Sequence, residues 1–192
     1  MHIRLIRHGL TAGNAAHRYV GSSDEPLCPE GIEAAERQEK DRSLPRVFVS
    51  PMLRARQTAA ILFPNAEQTV VDGFREMDFG AFEGRTADEM EHDPAYRAWV
   101  DDLCRGECPG GESQTEFHAR VKTAFLETVQ KTRADATVVA HGGVIMSILY
   151  QFARPEKAFY EWMMPNLGGF EADCVTENGA IALINVRPLP VR

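Results

Sequence analysis

Short apolar runs, each cut off by glycine, proline or charge, alternate along this chain with segments whose apolar residues recur at helical spacing. Residues 3–6 read as a short strand and residues 9–14, polar and small, as a loop. Pro29-Glu30-Gly31 opens a helical run through Ile32, Ala34, Ala35 and Arg37. Proline suits a helix start because its missing N–H would be unpaired there anyway. Residues 47–49 form a compact apolar strand that stops at Ser50-Pro51. A helix is expected next, with Ser50 as its N-cap, Pro51 in first position, and Leu53, Thr58, Ala59, Ile61 and Leu62 facing inward. Residues 69–71 read as a strand, 74–84 as an irregular stretch, and 86–92 and 95–103 as short helices around Pro94. A long helix is predicted from Gly110-Gly111-Glu112-Ser113 to about Arg133, with Phe117, Val121, Ala124, Phe125 and Val129 at helical spacing. Residues 137–140 read as a buried strand ended by His141-Gly142-Gly143. The helix after it carries Val144, Ile145, Ile148, Leu149 and Phe152, and alternation near 169–174 and 180–185 predicts two last strands.

Strands that alternate with helices argue for an α/β protein, a three-layer α/β/α sandwich with a mostly parallel central sheet. The 192 residues fit one domain, 1–192, in which 85–111 reads as an inserted helical lid. Hydrophobic residues at 44% and charged residues at 26% describe a globular chain able to bury a core without disulfides or metals. The formal charge of -7 speaks against a general attraction to nucleic acid or to an anionic membrane. An anionic small substrate would need its cations gathered in one pocket. Cys104 and Cys108 are spaced C-x3-C with no second pair and no histidine pair nearby, so zinc is not expected and reduced thiols are. No apolar run is long enough for a signal peptide or a membrane span, which makes the cytoplasm the expected compartment.

Three reactive clusters follow predicted strands: Arg7-His8-Gly9, Ser50 with Arg54, and His141-Gly142. In open α/β sheets, ligands bind beyond the carboxyl ends of strands. A single histidine after a strand is ordinarily a satisfied polar residue, and a single arginine on a helix is ordinarily solvated. Convergence of two histidines and two arginines on one edge is what points to a site.

Residues 5–11 followed by Asn14 resemble the signature of the histidine phosphatase superfamily, which includes the cofactor-dependent phosphoglycerate mutases. Arg18, Gly21, Asp24-Glu25-Pro26-Leu27 and Gly31 continue the resemblance, with Cys28 where threonine is usual. Residues 50–59, 75–84 and 140–143 resemble further family blocks, in family order. The resemblance implies His8 as nucleophile, Arg7, Arg54 and His141 as holders of the phosphoryl oxygens, and Asn14 as a further phosphate contact. It implies Glu76 as general acid, and Thr11 and Gly21 along the approach, with Gly142 beside the phosphate. It implies no metal and no cofactor. Arginine forks suit a transition state whose charge is spread over phosphoryl oxygens. A phosphohistidine would split one displacement into two.

Glu112-Ser113 resembles a segment near the substrate pocket, and also reads as a capping box with Glu116. Asp78 and Glu83 read as loop-ordering groups, and Phe159, Trp162, Met163 and Met164 as an apolar wall or a subunit contact in a homodimer. The expectation is a phosphomonoester hydrolase acting on a small phosphorylated metabolite, with alpha-ribazole phosphatases and sugar-phosphate phosphatases as the suggested relatives. A phosphoglycerate mutase and a non-catalytic phospholigand-binding protein are the alternatives.

Overall fold

The computed structural model describes residues 1–132, 134–177 and 179–191. Its centre is a six-stranded sheet built from β1 (His2–Arg7), β2 (Arg46–Val49), β3 (Glu67–Val70), β4 (Ala136–Ala140), β5 (Gly169–Glu177) and β6 (Ala180–Leu189). The spatial order is β3-β2-β4-β1-β5-β6. The pairs β3/β2, β2/β4 and β4/β1 are parallel, whereas β5 and β6 add an antiparallel hairpin at one side. The three central parallel strands are the ones that carry the reactive clusters.

Successive strand residues point to opposite faces of a sheet, and the core divides accordingly. Ile3, Leu5, Phe48, Val138 and Ala140 pack on one side with α5 (Gln114–Thr132) and α6 (Gly142–Phe152). Ile6, Val47, Val49 and Val139 pack on the other with Ala55, Ala59 and Leu62 of α3 (Leu53–Leu62). α2 (Pro29–Arg37) lies against α3, completing the third layer. β4 is buried at all five positions, which is why it reads as a continuous apolar run rather than an alternation.

Several expectations are corrected. The 9–14 stretch contains a one-turn helix, α1 (Ala12–Ala15), because Thr11 accepts the Asn14 amide at 3.2 Å and caps it. α3 begins at Leu53 after Met52, so Ser50 is not its N-cap nor Pro51 its first residue. The Ser50 hydroxyl is engaged elsewhere, at His141. Leu53 is exposed and Ile61 only partly buried; the inward positions of α3 are Arg54, Ala55, Thr58, Ala59 and Leu62. The helix predicted over 86–92 shrinks to a 3-10 turn at Asp88–Met90. Asp93 stays extended before Pro94, as a residue preceding proline tends to, and its carboxylate caps α4 (Pro94–Asp101). α4 stops short of residue 103 because Leu103 and Cys104 take positive φ, 56° and 60°. The capping box at Ser113 and Glu116 is present, with Ser113 Oγ accepting the Glu116 amide and Glu116 accepting the Ser113 amide. Arg133, the expected end of the long helix, lies outside the described residues. All four cysteines are free thiols, and no helix among the described residues is long and apolar enough to cross a membrane.

Candidate active site

β4 lies between β1 and β2, so the residues just past these three strands meet. The ladder runs on beyond the strands: the His8 amide donates to Ala140 O at 2.9 Å and the Ser50 amide to Val139 O at 3.0 Å. His8 and His141 stack edge to face with ring centroids 5.1 Å apart. His8, Arg54 and His141 are almost wholly buried.

His8 Nδ1 lies 2.7 Å from Gly9 O, a carbonyl that can only accept, so Nδ1 carries the proton and the Nε2 lone pair is free. Burial, reinforced by the charge on Arg54 and then Arg7, pushes the imidazole pKa down to about 3, against the pull of the Gly9 carbonyl. His8 is thus neutral at ordinary pH, with an unprotonated Nε2. Its backbone is fixed by Asn166, whose Nδ2 donates to His8 O at 3.1 Å and also reaches Asn14 Oδ1 at 3.2 Å. Asn166 carries no sequence signal; it lies in the turn before β5, more than 150 residues from the histidine it steadies.

His141 shows the complementary tautomer. Arg54 Nε donates to Nδ1 at 3.3 Å, so the ring proton sits on Nε2 and is given to Ser50 Oγ at 2.7 Å. Burial, then the charges of His8 and Arg54, hold its pKa well below the usual imidazole value. Ser50, expected as a helix cap, therefore orients the second histidine. Arg54 itself is pinned by carbonyls of the loop before α2: Nη1 donates to Ser23 O at 2.7 Å and Nη2 to Gly21 O at 2.9 Å. Glu83 accepts the Gly21 and Ser22 amides and the Ser23 hydroxyl, and Asp78 accepts the Ser22 hydroxyl and the Gly80 amide. These two carboxylates order the loop that holds Arg54. A Cβ on Gly21 would come within 1.8 Å of Met77 O, so this close approach demands glycine.

Arg7 donates through Nη1 to Met164 O at 2.8 Å. Its buried Nε has no partner among the described residues, leaving a donor to offer an oxyanion. Glu76 is buried near both arginines, with Oε2 accepting the Gly143 amide at 2.9 Å and Oε1 the Met77 amide at 3.1 Å. Burial raises its pKa despite the opposing amides and the charges of Arg54 and Arg7. Desolvation thus outweighs the nearby positive charge, the direction a general acid needs. Arg120 steadies the segment: it donates to Gly73 O, Arg75 O and Glu76 O and pairs with Glu112 at 2.7 Å. Neither Arg120 nor its tie to Glu112 was marked by spacing.

Arg7, Asn14, Glu76 and Gly142 line a cavity of about 350 Å³, together with Tyr19, Phe79, Trp99, Phe117, Phe159, Tyr160 and Met163. Thr11 and Gly21 are not on its wall; one caps α1 and the other supports Arg54. Phe159, Met163 and Met164 do line the cavity, whereas Trp162 is buried against Phe170.

A buried neutral histidine, a second histidine of fixed tautomer, two arginines and a buried carboxyl of raised pKa at the strand ends of an α/β sandwich define a phosphoryl-transfer enzyme, a phosphatase or a mutase. The chain belongs to the histidine phosphatase superfamily (branch 1), which residues 3–187 match. A relative named probable phosphoglycerate mutase GpmB, from Erwinia tasmaniensis, is 32% identical over 162 residues, covering 78% of this chain and 74% of that one. The structure of the alpha-ribazole phosphatase from Shigella flexneri superposes with a TM-score of 0.81 at 26% identity, covering 95% of this chain and 94% of that chain. The structure of the phosphoglycerate mutase from Thermus thermophilus gives a TM-score of 0.73 at 26% identity, covering 99% of this chain and 100% of that chain.

Proposed function

We propose that this chain is a metal-independent phosphomonoester hydrolase that works through a phosphohistidine on His8. In the first step His8 Nε2 attacks phosphorus and the ester P–O bond breaks. The Glu76 carboxyl gives its proton to the departing oxygen, releasing an alcohol. In the second, water attacks the phosphohistidine, the P–N bond breaks, and Glu76 takes a proton from the water. Arg7 and Arg54 stabilise the charge on the phosphoryl oxygens in both, and His141 holds the Arg54 guanidinium through Nδ1.

The observation that carries hydrolysis over mutase chemistry is the charge on the cavity wall. Beyond Arg7, the only cationic side chain lining it among the described residues is Arg18. That guanidinium is already spent on both Glu89 oxygens, at 2.9 Å each, and on Gly84 O. Arg85, another candidate for a second anionic group, pairs with Asp93 at 3.0 Å. A mutase must hold a substrate carboxylate and return the phosphoryl group to a second hydroxyl. This wall offers no free cation to do so. The mutase reading draws its support from the names of the relatives.

The proposal includes a single catalytic unit in which the 85–111 stretch covers the cavity, an enzyme of the cytoplasm, and a small phosphorylated metabolite as substrate rather than nucleic acid or membrane. Release of inorganic phosphate from p-nitrophenyl phosphate, abolished in His8→Ala, is the expected result. Incubation with 3-phosphoglycerate and a bisphosphoglycerate primer is the discriminating assay. Rapid isomerisation with little free phosphate would overturn hydrolysis.

A further inference from the structure

Resting on the hydrolase reading, we propose that the site selects monoesters whose leaving group is a flat, uncharged aromatic body seated in the cavity beyond Glu76. The cavity wall is built of rings. Tyr19 meets Phe79 and Trp99 edge to face at centroid distances of 5.1 and 5.9 Å, and Phe79 meets Trp99 at 6.4 Å. The array is braced from behind, where the Tyr19 hydroxyl lies 2.9 Å from the Tyr96 hydroxyl and Tyr96 rests on Trp99. Phe159 and Tyr160, 5.0 Å apart, add a further pair from a different part of the chain. Each ring is thus held by another ring before any ligand arrives.

Such an array suits an aromatic guest, because ring edges and faces carry opposite partial charge and pair best with further rings. It suits a sugar or a hydroxy acid less well, since hydroxyls set against the rings would lose water there and find few partners. The thioethers of Met77, Met146 and Met163 on the same wall can adjust to the outline of a flat ligand. Arg7, Asn14 and Glu76 supply the polar groups at the phosphoryl end; elsewhere the wall's polar groups are Gln114, Cys104, the Tyr19 and Tyr160 hydroxyls and Arg18, the last already bound to Glu89 and Gly84. A volume of about 350 Å³ accommodates a fused two-ring system.

The test compares esters of similar alcohol acidity, so that leaving-group chemistry does not decide the outcome. 2-(2-Naphthyl)ethyl phosphate, glycerol 3-phosphate and 3-phosphoglycerate serve as probes, with free phosphate as the readout. The naphthyl ester is expected to exceed glycerol 3-phosphate in kcat/KM by about 100-fold, mainly through KM, from the apolar area it buries. Tyr160→Ala should reduce that ratio about five-fold. Met163→Arg, at a position 70% exposed, should shift preference toward 3-phosphoglycerate. Equal kcat/KM values, or a preference for 3-phosphoglycerate in the unaltered protein, overturn the aromatic selection and leave hydrolysis standing. If no ester is hydrolysed, the hydrolase reading fails and calorimetry decides the rest. Naphthylethylphosphonate must still bind about 100-fold more tightly than glycerol phosphonate; equal affinities overturn the proposal.

Discussion

Gly143 and Glu76 are fitted to each other: the Gly143 amide donates to Glu76 Oε2 at 2.9 Å, and a Cβ on Gly143 would stand 2.4 Å from Glu76 Oε1. No side chain fits there without moving the acid. Gly143→Ala is expected to displace the carboxyl and lower kcat for alkyl phosphates about 100-fold, the cost of an ångström-scale misplacement. Gly142→Ala is the comparison, because its Cβ would meet Arg7 at an ordinary 3.5 Å, and its loss should be far smaller. Steady-state kinetics on both variants check this, and equal losses would remove the steric argument.

Glu76→Gln should show its effect in proportion to leaving-group basicity. An amide cannot supply the proton, so alkyl phosphates should lose about 10²–10⁴ in kcat. p-Nitrophenyl phosphate, whose phenolate departs unaided, should lose much less. With its raised pKa, Glu76 is expected to set the alkaline limb of the wild-type profile, and this limb should vanish in the variant. A uniform loss across leaving groups would exclude Glu76 as the acid.

Ser50→Ala leaves the buried His141 Nε2–H without its acceptor. An unsatisfied buried donor costs about 1–3 kcal/mol, which urea denaturation would read as a lower midpoint. The same change frees the ring to turn away from Arg54, so the single-turnover rate of phosphohistidine formation should fall as well. Unchanged formation at lowered stability would reduce Ser50 to a structural role.

His8 ties stability to pH. Its pKa is about 3 in the folded protein and about 6.5 when unfolded, so below the unfolded value the unfolded chain binds the extra proton. The contribution is full above about pH 6.5 and is lost as pH falls toward 3, at a slope approaching about 1.4 kcal/mol per pH unit. Glu76, with a raised pKa, has the opposite sign: its contribution is full below its unfolded value and is lost as pH rises through the folded one. His8→Asn should flatten the acid-side decline in Tm while leaving the Glu76 component. Parallel Tm curves for the variant and wild type would refute the burial argument.

The layers were legible in the sequence because each rests on local pattern: the apolar run of β4, Pro29 at a helix start, the spacing of α5. The strand-end clusters were legible because chemistry and punctuation coincide there. Asn166, Arg120 and the tie between Ser50 and His141 were not, because each acts across dozens of residues through a carbonyl or a ring that no periodicity marks. Ser50-Pro51 also satisfied a capping pattern, and the tertiary partner won. Of the aromatic wall, Phe159 was legible as part of an apolar wall, whereas Tyr19, Phe79 and Trp99 were not, because they come from separate segments that only the fold brings together.

The amide of His8 is held by β4, the amide of Gly9 by Thr58 of α3 at 2.9 Å, and the carbonyl of His8 by Asn166. These anchors span nearly the whole chain. A chain that lacked the turn at Asn166 would contain every side chain of the proposed mechanism and still leave the His8 carbonyl without this anchor. Turnover after dilution from denaturant is therefore expected to recover no earlier than the closure that brings Asn166 to His8.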